Sequence, residues 1–245
     1  MSNLILSNEE NNVLTITLNR FDKKNALNTV MYAELCRLFE YAEQTPAIHC
    51  LLIQGNEQCF CAGNDLADFL QHDGEEEFIA FKFVKQLAAF TKPIVVAVAG
   101  PAVGIGTTLL LHSDMIFSTT DAKFKLPFSQ LGLCPEAASS LLLPLKIGHN
   151  KAFELLILGN TFNGQQAYEY GIVNHCCDSE KLLASAKQAA ENIAKLPSDA
   201  VQTSRKLMKN ATNTQAEQAM TNEAQEFTRL MNTDTCKGIL GAFFK

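Results

Sequence analysis

The sequence has no tryptophan and little charge, yet it does not have the composition of a disordered chain. Its 245 residues are 19% charged and 47% hydrophobic, and they include 16 phenylalanines. This apolar content is enough to form a folded core, which excludes intrinsic disorder. The formal net charge is −6 and the Lys and Arg residues do not cluster. A nucleic-acid-binding surface is therefore not indicated.

A long uninterrupted apolar segment is also lacking. Residues 93–111 carry no charge over 19 positions, but two prolines and three glycines interrupt them and exclude a membrane-spanning helix. The N-terminal segment lacks the basic and apolar regions of a signal peptide, so the eight cysteines indicate reduced thiols. We therefore expect a cytoplasmic protein without membrane contact.

Residues 100–106 (GPAVGIG) form a glycine-rich loop that lacks the features of a nucleotide site. The dinucleotide motif requires a third glycine where this sequence has Leu109, and a P-loop requires a lysine that is missing nearby. A tight turn that lets backbone segments pack closely is the simplest alternative. A second glycine loop lies at residues 60–66 (FCAGNDL). Two such loops can direct main-chain N–H groups at a developing oxyanion.

Strand and helix patterns alternate along the first half of the chain. Asn28 is the predicted N-cap of an amphipathic helix. Apolar periodicity predicts strands at 13–18, 50–54, 94–98 and 115–118, and helices at 75–90, 107–112, 152–158, 165–170, 180–195, 200–211 and 215–231. This order favours an α/β core followed by a helical region.

Four motifs together resemble the crotonase superfamily, also called the enoyl-CoA hydratase/isomerase family. They are residues 20–27 (RFDKKNAL), 61–65 (CAGND), 99–106 (AGPAVGIG) and 170–173 (YGIV). The resemblance spans almost the whole chain and implies an α/β fold, a spiral of ββα turns with a C-terminal helical trimerisation region. We therefore expect a spiral core at residues 1–195, a helical region at residues 196–245, and a homotrimer or a hexamer of two trimers.

The resemblance also implies an acyl-CoA substrate. It assigns the oxyanion donors to the main-chain N–H groups of Asn64 and Ile105. Contacts with CoA and substrate are expected at Lys24, Ala26, Ala62, Gly63, Asn64, Asp65, Leu66, Gly104 and Phe128. Asp65 also suits a structural cap for the helix that follows it. We expect no cofactor besides the CoA of the substrate, no metal ion and no nucleic-acid partner.

One departure from the family pattern distinguishes between its reactions. A hydratase of this family holds a water between two glutamates, and the matching positions here are Thr108 and Phe128. Neither side chain transfers a proton, so the usual hydration mechanism is not expected. Glu136 is the remaining carboxylate in this region. Pro135 before it predicts that Glu136 lies in the first turn of a helix, where an acidic residue also complements the helix dipole.

Residues 127–136 (PFSQLGLCPE), with the two glycine loops, resemble the Δ3,Δ2-enoyl-CoA isomerase branch. The resemblance implies that Glu136 alone moves a proton from the α to the γ carbon of a 3-enoyl-CoA, in the β-oxidation of unsaturated fatty acids. Leu126, Phe128 and Leu133 are expected to form an apolar wall that favours a higher pKa of Glu136, whereas the helix N-terminus favours a lower one. The sequence leaves the direction of the net pKa shift open. A hydratase or other acyl-CoA lyase of the family, or a catalytically silent acyl-CoA-binding protein, remains an alternative.

Overall fold

Two β-sheets form the framework of the computed structural model, which describes residues 4–71 and 78–242. The strands, in chain order, are β1 (Ile5–Glu10), β2 (Val13–Leu18), β3 (Cys50–Gln54), β4 (Ile94–Val98), β5 (Pro101–Val103), β6 (Met115–Thr119), β7 (Lys123–Lys125), β8 (Phe162–Asn163) and β9 (His175–Cys177). The larger sheet has the order β1-β2-β3-β4-β6-β9, and the smaller one β5-β7-β8. Only β1 is antiparallel within the larger sheet, and β8 within the smaller one.

Helices cover both faces of the larger sheet. In chain order, the α-helices of the described residues are α1 (Thr29–Gln44), α2 (Leu66–Gln71), α3 (Ile79–Ala89), α4 (Ile105–Thr108), α5 (Ser139–Ile147), α6 (His149–Phe153), α7 (Gly164–Glu169), α8 (Ser179–Ala194), α9 (Ser198–Asn210), α10 (Asn213–Met231) and α11 (Asp234–Ala242). Short 3-10 helices lie at Phe21–Lys23, Leu109–His112 and Ser129–Leu131, and a π-helical turn at Glu154–Leu158.

The first long helix shows why these residues fold locally as they do. Asn28 caps α1 as predicted, because its Oδ1 accepts a hydrogen bond of 2.9 Å from the Met31 N–H. Met31 and Leu35 then recur on the buried face of α1. Phe39 on the same face contacts the edge of the Phe83 ring, with ring centroids 5.5 Å apart. This packing joins α1 to α3 over one face of the larger sheet.

A second, smaller core covers the opposite face of the larger sheet. Leu182, Ala186 and Ala190 of α8 pack against inward-facing side chains of β2, β3 and β4, including Leu52 and Val95. The side chains of a parallel sheet are buried on both faces, which explains the near-continuous apolar runs of β3 and β4. The position of the glycine loops follows, since both leave the carboxyl ends of these central strands.

The structure confirms the predicted strands at 13–18, 50–54 and 94–98 without a shift in bounds. The predicted helix at 107–112 is instead α4 followed by a 3-10 helix, and the one at 152–158 becomes α6 followed by the π-helical turn. The start of the predicted helix at 75–90 falls partly outside the described residues. In the described ranges, none of the helices combines the length and the apolar content needed to cross a membrane.

Candidate active site

The two glycine loops lie side by side because an isolated β-bridge joins Cys61 to Ala102. The Cys61 N–H donates to the Pro101 carbonyl at 2.9 Å, and the Cys61 carbonyl accepts from the Val103 N–H at 3.0 Å. Gly63 has a φ of +99°, and a Cβ there would lie 2.9 Å from the Val103 carbonyl oxygen. Only glycine permits this backbone at this distance. The bridge therefore holds both predicted oxyanion segments next to each other.

The N–H of Asn64 points away from the bridge that anchors its loop. The Leu27 N–H donates to the Gly63 carbonyl at 2.8 Å, and the Leu27 carbonyl accepts from the Asp65 N–H at 2.9 Å. In this parallel bridge the residue between them, Asn64, directs its own N–H to the opposite side. Within the described part of the chain, this N–H has no acceptor. It is free to donate to a ligand.

Ile105 presents the second N–H. Gly104, with a φ of +53°, precedes α4, and its carbonyl accepts the first hydrogen bonds of the helix. Ile105 is the first residue of α4, so its N–H lacks an intrahelical acceptor. No other acceptor is found for it in residues 4–71 and 78–242. A Cβ at Gly106 would lie 2.7 Å from the Cys61 carbonyl oxygen, so glycine lets α4 pack directly on the first loop.

The predicted CoA-binding loop is fastened to the first glycine loop by Asn25. The Asn25 side chain accepts from the Arg20 N–H at 2.7 Å and donates to the Phe60 carbonyl at 2.9 Å. The Arg20 guanidinium donates to the Asp65 carboxylate at 2.6 Å and to the Ala26 carbonyl at 2.9 Å. The sequence pattern did not indicate individual roles for Arg20 or Asn25. Their contacts join residues far apart in the chain, which a local pattern does not reveal.

Asp65 has the structural role that its position predicts. Its Oδ1 accepts a hydrogen bond of 3.0 Å from the Ala67 N–H in the first turn of α2. Partial burial alone raises the pKa of Asp65, but the hydrogen bond from Arg20, with that from Ala67, outweighs this and lowers it. Asp65 is therefore an ionised cap and a link between the two loops.

The other predicted CoA contacts lie in the same loops, with one exception. Lys24 has an exposed side chain, and its carbonyl accepts from the Ala62 N–H at 2.9 Å. Leu66 begins α2 and Gly104 precedes α4. Phe128 is instead buried at the start of the 3-10 helix Ser129–Leu131. Contact of these residues with CoA stays a prediction.

Glu136 does not lie in the first turn of a helix, so that prediction is wrong. Helix α5 begins at Ser139, and the two intervening residues, Ala137 and Ala138, have left-handed φ angles of +56° and +54°. This conformation disfavours L-residues with a side chain, and it stops the helix from extending back to Glu136. Glu136 is therefore held by a turn, and the expected effect of the helix dipole does not apply.

The Glu136 carboxyl group is buried, with 6% of the residue exposed, and accepts a hydrogen bond from the Thr108 hydroxyl. Burial raises the pKa of Glu136 to about 8; the Thr108 hydrogen bond opposes this rise and the negative charge of Glu223 adds to it. A carboxyl group with such a pKa both accepts and returns a proton near neutral pH. Thr108, at the position of a hydratase glutamate, thus supports Glu136 instead.

A small cavity borders Glu136, and its walls come from α3 and α10. The side chains that line it with Glu136 are Phe81, Val84, Lys85, Ala137, Met220, Glu223 and Ala224. The expected wall of Leu126, Phe128 and Leu133 is buried in the main core, but these residues do not line this cavity. A larger cleft of about 1080 Å³ between α3, α9 and α10 shares Lys85 and Met220 with it. The apolar environment of Glu136 thus depends on helices that are distant in sequence.

Tyr32 is a site residue that the sequence pattern did not indicate. Its hydroxyl donates to the Asn64 side-chain oxygen, and its ring lies 5.6 Å from that of Phe83, between centroids. Burial, with the charge of Glu136, holds the pKa of Tyr32 well above its usual value. The Tyr32 hydroxyl therefore stays protonated at neutral pH and donates to the side chain of Asn64. Its helical spacing from Leu35 and Phe39 is the sequence signal that places Tyr32 on the buried face of α1. No sequence pattern indicates the polar partner of its hydroxyl.

The cysteines and acidic residues do not form another reactive centre in the described residues. Across those residues, no group of three His, Cys, Asp or Glu side chains is placed to hold a metal ion. Cys134 lies two residues before Glu136, and burial raises the pKa of its thiol to about 11. A thiol with this pKa is a poor nucleophile at neutral pH. Glu136 thus remains the residue best placed for proton transfer.

Comparisons with known proteins extend over nearly the whole chain. Residues 8–244 match the family model described as enoyl-CoA hydratase/isomerase. The 1,2-epoxyphenylacetyl-CoA isomerase of Escherichia coli (strain K12) is 37% identical over 205 residues, which are 80% of this chain and 78% of that protein. Enoyl-CoA delta isomerase 2 of Rattus norvegicus is 32% identical over 84% of this chain and 54% of its own length. The solved structure of Pseudomonas aeruginosa OdaA is 39% identical, covers 99% of both chains and has a TM-score of 0.95.

Proposed function

We propose that this chain, which belongs to the enoyl-CoA hydratase/isomerase family, moves the double bond of a 3-enoyl-CoA to the 2-trans position. The observation that carries the proposal is the buried carboxyl group of Glu136, hydrogen-bonded to Thr108 where a hydratase has a second carboxylate. The nearby buried carboxylate of Glu223 already accepts hydrogen bonds from the N–H groups of Ala138 and Ser140. One carboxyl group is sufficient for a 1,3-proton shift, whereas hydration by the usual mechanism needs two to hold the water.

The proposed reaction uses Glu136 first as a base and then as an acid. Its carboxylate removes the α proton of the 3-enoyl thioester, which the carbonyl and the adjacent double bond acidify. The electrons move onto the thioester oxygen, and the resulting dienolate accepts hydrogen bonds from the N–H groups of Asn64 and Ile105. Protonated Glu136 then returns the proton to the γ carbon. The proton balance closes without water, and we propose that no cofactor takes part.

The decisive experiment compares 3-hexenoyl-CoA and 2-hexenoyl-CoA as substrates for wild type and Glu136→Gln. Wild type is expected to isomerise the first without hydrating the second. Glu136→Gln is expected to lose activity by at least ~10²-fold, the usual contribution of an acid–base group. Glu226→Gln is the matched control, because Glu226 is an exposed glutamate on α10. Hydration of 2-hexenoyl-CoA that survives in Glu136→Gln contradicts the proposal.

Two further outcomes identify the alternatives. Tight binding of acyl-CoA without turnover by wild type would indicate a catalytically silent binding protein. Because the E. coli relative is named 1,2-epoxyphenylacetyl-CoA isomerase, that epoxide is the second substrate to assay. A preference for the epoxide over 3-hexenoyl-CoA would replace the enoyl substrate but keep the isomerase class.

The assembly belongs to the same proposal. Phe153, Leu158, Leu207 and Met208 are exposed on the single chain, and each has more than half of its surface accessible. An assembly of subunits buries side chains of this kind, and the resemblance to the family implies a homotrimer or a hexamer. Light scattering of the purified protein measures the assembly directly. The cytoplasmic location and the role in β-oxidation stay predictions.

A further inference from the structure

We propose that Glu223 is a positioning residue that holds the turn carrying Glu136 in its left-handed conformation. Glu223 lies on α10, is 7% exposed, and is separated from Glu136 by more than eighty residues of chain. This inference rests on the proposed function only for its kinetic readout. The hydrogen bonds that support the inference are observed in the structure and do not depend on the proposed reaction.

The turn itself is the reason why support is needed. Ala137 and Ala138 both have φ near +55°, a conformation in which the Cβ of an L-residue meets the following carbonyl. Two such residues in succession persist only when surrounding contacts determine the conformation. Both alanines are buried, so water does not satisfy their polar groups. The turn places the carboxyl group of Glu136, so the contacts that hold the turn also position that group.

Glu223 provides those contacts from one side. Its Oε2 accepts from the Ala138 N–H at 2.6 Å, and its Oε1 accepts from the Ser140 N–H at 2.9 Å and the Ser140 hydroxyl at 2.5 Å. The Cys134 thiol donates to the Glu223 main-chain carbonyl at 3.7 Å. One residue of α10 therefore binds the chain on both sides of Glu136.

His112 holds the turn from the other side. Its Nε2–H donates to the Ala137 carbonyl at 2.8 Å, and burial lowers the pKa of His112 to about 4, so the ring is neutral. His112 ends the 3-10 helix that follows Thr108, the residue that donates to the Glu136 carboxyl group. The turn is thus clamped between the second glycine loop and α10.

The charge of Glu223 gives the positioning role a measurable signature. The titratable groups around Glu136 are Tyr32 of α1, Lys85 of α3, His112 of the 3-10 helix, Cys134 of the preceding segment and Glu223 of α10. Glu223 is the nearby carboxylate whose negative charge opposes ionisation of Glu136. Removing that charge while keeping the side-chain shape makes Glu136 easier to ionise. A lower stability of the fold by itself does not shift the pH dependence in this way.

The test uses Glu223→Gln, Glu223→Ala and the exposed control Glu226→Gln, with kcat and KM for 3-hexenoyl-CoA measured between pH 5.5 and 10. Glu223→Ala is expected to lower kcat on the order of 100-fold with little change in KM, because the base is displaced rather than the substrate released. Glu223→Gln is expected to retain more activity than Glu223→Ala and to move the acidic limb of the kcat profile to lower pH.

Rescue and a direct titration separate positioning from general stability. Ala138→Gly, introduced into Glu223→Ala, is expected to restore part of kcat, since glycine adopts a positive φ without help. NMR titration of the 13C-labelled Glu136 carboxyl group, identified with Glu136→Gln, is expected to show a lower pKa in Glu223→Gln than in wild type.

The outcomes that overturn the inference are specific. They are a wild-type kcat in Glu223→Ala, or an unchanged Glu136 titration in Glu223→Gln. If Glu223→Ala does not fold, Glu223→Gln and the titration decide alone. If wild type does not isomerise 3-hexenoyl-CoA, the proposed function fails, whereas the titration still tests the link between Glu223 and Glu136.

Discussion

Glu136 combines burial with a hydrogen bond that favours its charged form, and these two effects oppose each other. Burial raises its pKa to about 8, while the Thr108 hydroxyl lowers it. The balance leaves a carboxyl group that is a stronger base than an exposed glutamate. In the proposed reaction its proton-transfer partners are the substrate carbons, so the rate is expected to depend on its ionisation.

Replacing Thr108 by valine is expected to raise the pKa of Glu136 further. The hydroxyl stabilises the carboxylate, so its loss favours the protonated form. The kcat of Thr108→Val should therefore fall at neutral pH and recover as the pH rises above about 8. Thr107→Val is the control, because the Thr107 hydroxyl donates to the Ala102 carbonyl at 2.6 Å. A pH profile of kcat that is the same in Thr108→Val and wild type would refute this.

The raised pKa of Glu136 also costs stability at high pH. Its pKa in the folded state is about 8, above the ordinary glutamate value of 4.5. Between these two pH values the folded protein therefore binds more protons than the unfolded chain. The free energy of unfolding of wild type should then fall, relative to Glu136→Gln, by at most ~1.4 kcal/mol per pH unit across this window. Urea denaturation at several pH values measures it. If the free energy of unfolding depends on pH in the same way in wild type and in Glu136→Gln, the pKa of Glu136 is not raised in the folded protein.

At the scale of single elements, the glycine loops determine the positions of the two proposed oxyanion donors, the N–H groups of Asn64 and Ile105. The bridge between Cys61 and Ala102 sets the relative position of the loops. Gly106 lets α4 approach the first loop so closely that no side chain fits between them. The position of the Ile105 N–H therefore depends on its neighbour, Gly106, having no Cβ.

Gly106→Ala is expected to displace α4 and with it the Ile105 N–H. A Cβ at this position would lie 2.7 Å from the Cys61 carbonyl oxygen, which is main chain and does not yield easily. Loss of one oxyanion donor typically lowers kcat ~10²- to 10³-fold, and we expect a fall of this order. Gly238→Ala is the matched control, because a Cβ at Gly238 of α11 meets no atom within 4 Å. Near-normal kcat in Gly106→Ala would remove Ile105 from the site.

Over the whole molecule, the C-terminal helices complete the site: α10 packs against α3 and α5, and α9 contacts the segments next to the central strands through Arg205. Arg205 of α9 is buried and donates to the Asp114 carboxylate at 2.7 Å and to the Phe90 carbonyl. Asp114 in turn accepts from the Ile94 N–H at 2.8 Å, at the start of β4. These contacts join α9 to the central strands, and α10 then extends to Glu136 through Glu223.

Breaking the ion pair between Arg205 and Asp114 is expected to destabilise the whole fold. Arg205→Met leaves Asp114 without its partner, and removal of one member of a buried pair typically costs ~3–5 kcal/mol. Because a quarter of the Asp114 side chain is exposed to solvent, we expect the lower end of this range. Urea denaturation measures the loss, with the exposed neighbour Lys206→Met as control. Equal stability of these two variants would contradict the role of the pair.

Much of the architecture was predictable because its signals are local. Apolar runs defined β2, β3 and β4, and the Asn28 cap with the apolar spacing after it defined α1. The short strands β5, β7 and β8 were not predicted. They have two or three residues each and form only because the glycine loop and its neighbours pair across the chain.

The sequence by itself determined the family, the alternating strand and helix order and the choice of Glu136, because these depend on residue identities and their spacing. Tertiary structure decided the environment in which Glu136 works. The left-handed turn at Ala137 and Ala138 contains no glycine, so the sequence does not indicate it. Glu223, which binds this turn, comes from the distant helix α10. Hydrogen bonds and burial between residues so far apart depend on how the helices pack, and packing sets the basicity and position of the carboxyl group.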